Sequence, residues 1–234
     1  MHSPIRRHLC RLCLVAVLVP LAPCLALSAR QSPDPQRFEQ DIAAFEAEDR
    51  AAPPPAGSVL FVGSSSIRYW DLARAFPNRR TIKRGFGGSH VSDNLHYADR
   101  IIVPYTPALI VFYAGDADVA GGKTAGQIGD DYRALIALIH ARLPGAMTII
   151  IGTKPSPAHW AHIDTIRRAN DLVRALAASD PLVDYADVDA ALLGADGRPR
   201  PDFYAENGLN LNERGYEAWT AALRPVIERR WPKP

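Results

Sequence analysis

Short runs of apolar residues punctuate this chain, and between them apolar positions recur every three or four residues along otherwise polar segments. Val59 to Val62, Ala108 to Tyr113, Met147 to Ile151 and Leu182 to Val188 are rich in β-branched or aromatic residues and short, which predicts strands. A weaker run from Thr81 to Arg84 completes five. Helical spacing fills the intervals. Phe38, Ile42 and Phe45 follow Asp34-Pro35, a cap with proline in the first turn. Tyr132, Leu135, Ile136, Ile139 and Leu143 mark one later helix, and Ile166, Leu172, Val173 and Leu176 another. The last begins after Asn212 and carries Tyr216, Trp219, Leu223 and Val226. Strands alternating with helices imply an α/β fold with a parallel sheet covered on both faces.

Ligands of such sheets bind at the carboxyl ends of the strands, so the loops after the strands are where chemistry is expected. The first is Gly63-Ser64-Ser65-Ser66, inside the stretch Leu60 to Trp70, where a strand ends in a turn and delivers a hydroxyl to a helix start. A serine there can act as a nucleophile beside freed N–H groups, or it can simply cap the helix. The second loop, Arg84 to His90, contains Gly85, Gly87 and Gly88. The third is Ala114-Gly115-Asp116-Ala117-Asp118, the fourth runs from Lys154 to Trp160, and the fifth from Glu206 to Asn212.

Taken together these loops resemble the blocks of the SGNH, or GDSL-type, ester hydrolases, from about Val59 to the last helix. The resemblance implies a flavodoxin-like three-layer α/β/α sandwich with a five-stranded parallel sheet. It implies that Ser65 stands at the nucleophile position, with Ser64 replacing the family's aspartate, and Ser66 is the alternative register. Gly88 falls at the oxyanion-hole glycine, where its N–H and that of Ser65 would donate.

Three other positions depart from the family. Ala117 stands where an asparagine usually donates to the oxyanion. Asn207 and Asn210 stand where the family has Asp-x-x-His. A serine hydroxyl is a weak nucleophile at neutral pH and needs a base within hydrogen-bond reach. Asparagine does not titrate in this range, so Asn210 cannot take the proton and return it. Loss of a triad member leaves roughly 10³ to 10⁴ of rate over water, and loss of one oxyanion donor costs a further ~10² to 10³. Activity is therefore expected to be lost or severely impaired, and a non-catalytic protein that binds an acylated or carbohydrate ligand is the alternative.

His90, His159 and His162 lie in or beside these loops as candidate substitute bases, though each also suits a capping or surface role. His159 and His162 share an i, i+3 spacing but lack a third ligand, so neither a metal nor another cofactor is expected. Asp116 and Asp118 read as caps of the helix that follows.

Composition changes the picture at the N-terminus. Of 234 residues, the first eleven carry Arg6, Arg7 and Arg11 and no acid, and an apolar run from Leu12 to Leu27 leads to the small residues of Ala26-Leu27-Ser28. Residues 1–29 therefore read as a cleaved signal peptide, an uncleaved membrane anchor being the alternative. The N-terminal helix and Pro-rich linker are placed at 30–57 and the hydrolase-like domain at 58–234. All three cysteines, Cys10, Cys13 and Cys24, lie in the leader. Its removal takes 27 basic and 25 acidic residues to 24 and 25. That balance gives no electrostatic case for nucleic acid or an anionic membrane. The expected protein is a periplasmic or secreted monomer acting on a small-molecule or glycan ester.

Overall fold

The computed structural model describes residues 33–55, 57–77 and 79–231, so residues 1–29, read above as a signal peptide, and the three cysteines among them lie outside the described residues. A single 3-10 turn at Pro35–Phe38, capped by Asp34 through the Gln36 N–H, leads into helix α1 (Glu39–Ala51). Strand β1 (Val59–Gly63) is followed by the single-turn helices α2 (Ser65–Arg68) and α3 (Leu72–Ala75), then by β2 (Thr81–Gly85). Helices α4 (Val91–His96) and α5 (Ala98–Ile101) precede β3 (Leu109–Tyr113). Helix α6 (Asp116–Ala120) and the long α7 (Ala125–Arg142) lead to β4 (Met147–Ile151). Helix α8 (Ile163–Ala178), strand β5 (Val183–Ala186), α9 (Asp189–Leu192) and α10 (Glu213–Arg230) finish the chain.

The five strands form one parallel sheet in the order β2-β1-β3-β4-β5. The sequence reading of an α/β fold with a parallel five-stranded sheet thus holds, with boundary differences. Strand β3 starts one residue later than expected, and β5 stops at Ala186, since Asp187 caps the Asp189 N–H instead of continuing the ladder.

Side-chain alternation along the strands divides the core in two. Leu60, Val62, Ile110, Phe112 and Ile150 point to the face covered by α1, α4, α5, α7 and α8. Val59, Phe61, Leu109, Val111, Tyr113, Ile149 and Ile151 point to the face covered by α2, α3, α9 and α10. Burial at every position of β1 and β3 explains why those two runs read as continuously apolar. On the second face Trp70, Trp219 and Tyr216 stack in sequence, with centroids 5.6 and 5.7 Å apart.

Helix α1 is tied to the first face by ions as well as by Phe38 and Ile42. Arg100 bonds Glu46 and Glu39 at 2.6 and 2.8 Å, and the Arg84 guanidinium pairs with Asp49. The helix patterns hold with one exception: Leu172, expected on the inner stripe of α8, is exposed. It lies at the edge of the seam with α7, its Cδ1 over Gly129.

Candidate active site

The C-terminal edge of the sheet gathers all five loops. At the end of β1 the chain turns at Gly63, whose φ of 140° is strained for any L side chain. A Cβ there would stand 1.9 Å from the Tyr113 carbonyl oxygen, so glycine is required for space as well. The Ser64 N–H donates to that same carbonyl at 2.8 Å, prolonging the sheet register by one residue. Ser65 then starts α2, half-buried, while Ser64 and Ser66 are buried. Because α2 is a single turn, its macrodipole is small, and what it offers an anion is the unpaired N–H groups of its first residues.

Ser66 is less suited than Ser65 to meet a ligand. Its hydroxyl is buried without a partner among the described residues, and its carbonyl accepts the Tyr216 hydroxyl at 2.9 Å. Beside Ser65 lies the second loop: a Cβ on Gly87 would stand 3.9 Å from that of Ser65. Gly88 is exposed with φ 79°, and a Cβ there would meet nothing within 4 Å.

The third loop differs from its sequence reading. Neither Asp116 nor Asp118 caps α6. Asp116 is buried; its Oδ2 accepts the Tyr113 hydroxyl at 2.6 Å and Lys154 Nζ at 2.8 Å. Asp118 accepts the Val91 N–H at 3.1 Å and Lys123 Nζ at 2.7 Å, binding the third loop to the second. Burial pushes the Asp118 carboxyl above its usual range, and Lys123 pulls it back. Between them Ala117 is half-buried and carries only a methyl group.

The fourth and fifth loops are sewn together, the Ala158 N–H donating to the Gly208 carbonyl at 3.1 Å and the Tyr204 hydroxyl to the Pro155 carbonyl. Asn207 is exposed, and its Oδ1 accepts the N–H groups of Leu209 and Asn210, both at 3.0 Å. That oxygen is spent on its own turn. Asn210 is half-buried, with Oδ1 closed from solvent and unpartnered among the described residues.

The three candidate histidines separate. His90 is buried at the start of α4, its Nδ1 3.9 Å from Asp118, and burial lowers its pKa. His162 is exposed. His159, in the loop that touches Gly208, is half-buried with an unpartnered buried Nδ1; desolvation lowers its pKa, against an opposing pull from Asp116.

Sequence reasoning gave no role to Lys154, yet its side chain is fully buried and bonds both Asp116 and the Tyr113 hydroxyl, the latter at 3.2 Å. A signal existed. Asp116 and Lys154 follow β3 and β4, which are neighbours in the sheet, so opposite charges there end up side by side. Burial, with Asp116 next to it, drives the Tyr113 hydroxyl well above its ordinary pKa and keeps it neutral. The edge thus holds a half-buried serine, a glycine-rich loop beside it, a buried ion pair beneath, and unpartnered atoms on Ser66, Asp116, His159 and Asn210. It can bind a polar group; it has no titratable side chain at position 210. Among the described residues no group of three or more His, Cys, Asp or Glu side chains could hold a metal ion.

Comparison with known proteins bears on this edge. Residues 62–218 match the GDSL-like Lipase/Acylhydrolase family. A platelet-activating factor acetylhydrolase IB subunit alpha1 from Bos taurus is 27% identical over 180 residues, covering 73% of this chain and 75% of that protein. A solved Streptococcus pneumonia structure described as a platelet activating factor superposes with a TM-score of 0.74 at 18% identity, covering 82% of this chain and 93% of its own. A GDSL-like lipase from Bacteroides thetaiotaomicron gives 0.68 at 20% identity, covering 80% and 97%.

Proposed function

The chain belongs to the GDSL-like lipase/acylhydrolase family of ester hydrolases, and on that premise we propose that it is an exported acyl or acetyl esterase whose turnover is lost or severely reduced. Ser65 Oγ is the attacking atom. The oxyanion formed on the ester carbonyl is met by the N–H groups of Ser65 and Gly88. The serine proton then has to leave, and the amide of Asn210 cannot accept it. With a methyl group at Ala117, one oxyanion donor fewer is present. The amide at position 210 carries this reading, together with Asn207 Oδ1 being held by backbone N–H groups.

The same amides favour a second reading, in which the edge binds an acylated or carbohydrate ligand without turning it over. Hydrolysis of a small activated acetyl ester by this chain and by Ser65→Ala decides between them. Slow, Ser65-dependent release supports the impaired enzyme. Equal rates in the two proteins, with measurable ligand binding, support the second reading, and rapid Ser65-dependent turnover overturns both.

A further inference from the structure

Gly88 is exposed and has no side chain to anchor it, so the residues on either side decide where its N–H points. Two positions before it, Phe86 is fully buried, and its N–H donates to the Gly63 carbonyl at 3.0 Å. Two positions after it, the His90 N–H donates to Asp93 Oδ2 at 2.8 Å. Both anchors lead to one place. The Phe38 ring meets that of Phe86 edge-on, with centroids 5.0 Å apart, and the Arg37 guanidinium reaches the same Asp93 oxygen at 2.5 Å.

Arg37 and Phe38 belong to the 3-10 turn ahead of α1, whereas the family match begins only at residue 62. The turn is itself tied down, since its Pro35 carbonyl accepts the Tyr97 hydroxyl at 3.1 Å. What it holds is a unit. Asn94 Nδ2 bonds the Ser89 hydroxyl at 3.1 Å and the His90 carbonyl at 2.8 Å, so residues 89–94 are braced together; Arg37 fastens them to the turn and Asp118 to α6. Asp93 is 1% exposed, and a carboxylate buried that deeply needs a cation and hydrogen bonds to answer it. Arg37 supplies the cation.

Helix α1 also reaches the element that carries Ser65. Arg68 closes α2, the turn that Ser65 opens, and its Nη1 lies 3.4 Å from Asp41. A Cβ on Gly87 would stand 3.9 Å from Arg68 Cδ and from Ser65 Cβ alike. This pair faces water and is screened, so the buried contacts of Arg37 and Phe38 dominate.

We propose that Arg37 and Phe38 are positioning residues of the oxyanion site, holding the Gly87-Gly88 backbone beside Ser65 from a segment that precedes the family match. The proposal rests on Ser65 and Gly88 as reacting positions. A displacement of about 1 Å in such a site can cost up to about 10²-fold in rate.

Amide hydrogen exchange is measured on the full chain and on Arg37→Gln, Arg37→Lys, Phe38→Leu and Arg100→Met. Arg100 ties α1 to α5 through Glu39 and Glu46, so its variant reports what loosening the helix alone does. In Arg37→Gln the His90 amide is expected to exchange at least about ten-fold faster, with the amides of β3 unchanged. Arg37→Lys should restore most of the protection, Phe38→Leu should speed the Phe86 amide, and Arg100→Met should alter neither. In a chain carrying Ala117→Asn, Asn207→Asp and Asn210→His, adding Arg37→Gln or Phe38→Leu should lower kcat about ten-fold for a small activated acetyl ester and leave KM within about two-fold. Unchanged exchange, acceleration shared equally with β3, or the same acceleration in Arg100→Met overturns the proposal, as does an unchanged kcat in an active reverted chain. The hydrolase reading fails separately: a reverted chain without Ser65-dependent hydrolysis, in which Arg37→Gln still speeds His90 exchange, supports the anchoring and removes Gly88 as an oxyanion donor.

Discussion

Lys154 Nζ lies 2.8 Å from Asp116 Oδ2, with the lysine wholly and the aspartate almost wholly closed off from solvent. The pair joins the ends of β3 and β4 below the candidate site. Taking the cation away leaves a buried carboxylate with one fewer partner, which typically costs about 3–5 kcal/mol. Lys154→Met is therefore expected to lower unfolding free energy by about that amount in urea titration, and Lys154→Met with Asp116→Asn to recover much of it. A single variant as stable as the parent would show that the ion pair is not holding these strands.

Restoring the missing groups should restore the chemistry. The triple variant Ala117→Asn, Asn207→Asp and Asn210→His is expected to hydrolyse a small activated acetyl ester at least about 10³-fold faster than the parent. Adding Ser65→Ala to the triple variant should cancel the gain. No gain on reversion would mean that the family positions fall on other residues.

Gly63→Ala tests the turn that presents Ser65. The added methyl meets the Tyr113 carbonyl oxygen at 1.9 Å in a φ region closed to side chains. Strain of this kind persists only when its surroundings force it, so a loss of about 3 kcal/mol or more is expected. Circular dichroism melts report it, and a melt like the parent's would mean that the turn relaxes at no cost.

His159 makes stability depend on pH in one direction. Burial favours its neutral form, so the folded state binds its proton more weakly than the unfolded chain, whose histidine titrates near 6.5. Above that pH both states are neutral and the residue contributes no slope. Below it the unfolded chain takes up the proton first and stability falls until the folded pKa is passed. Asp116, Lys154 and His162 are the charged or titratable groups acting on it. The melting temperature of the parent should therefore drop relative to His159→Gln as pH falls below about 6.5. A difference that stays flat, or that opens in the other direction, would contradict the buried neutral ring.

The layered fold was legible because continuous apolar runs and helical stripes survive any detail of packing. The exceptions have physical causes. Leu172 obeys the 3.6-residue period but sits at the edge of the seam beside Gly129, where a period cannot report depth. Asp116 and Asp118 sit at a helix start, where caps are common, yet each is captured by a buried lysine, Asp118 by Lys123 five positions on and Asp116 by Lys154 at the end of the neighbouring strand. Capping preference is local, and the partner of Asp116 is set by strand order. The bond from Trp70 Nε1 to the Thr220 hydroxyl was invisible for the same reason, since its two ends lie 150 positions apart.

The last helix is also the lid of the second core. Trp219, Leu223 and Ile227 cover Phe61, Val111 and Ile149, and they come from the final 18-residue helix. Synthesis runs from the N-terminus, so the part of this face that α10 covers stays open until residues 213–230 have been added, although α2, α3 and α9 precede it. Until then the chain cannot complete its fold, however stable the finished protein is.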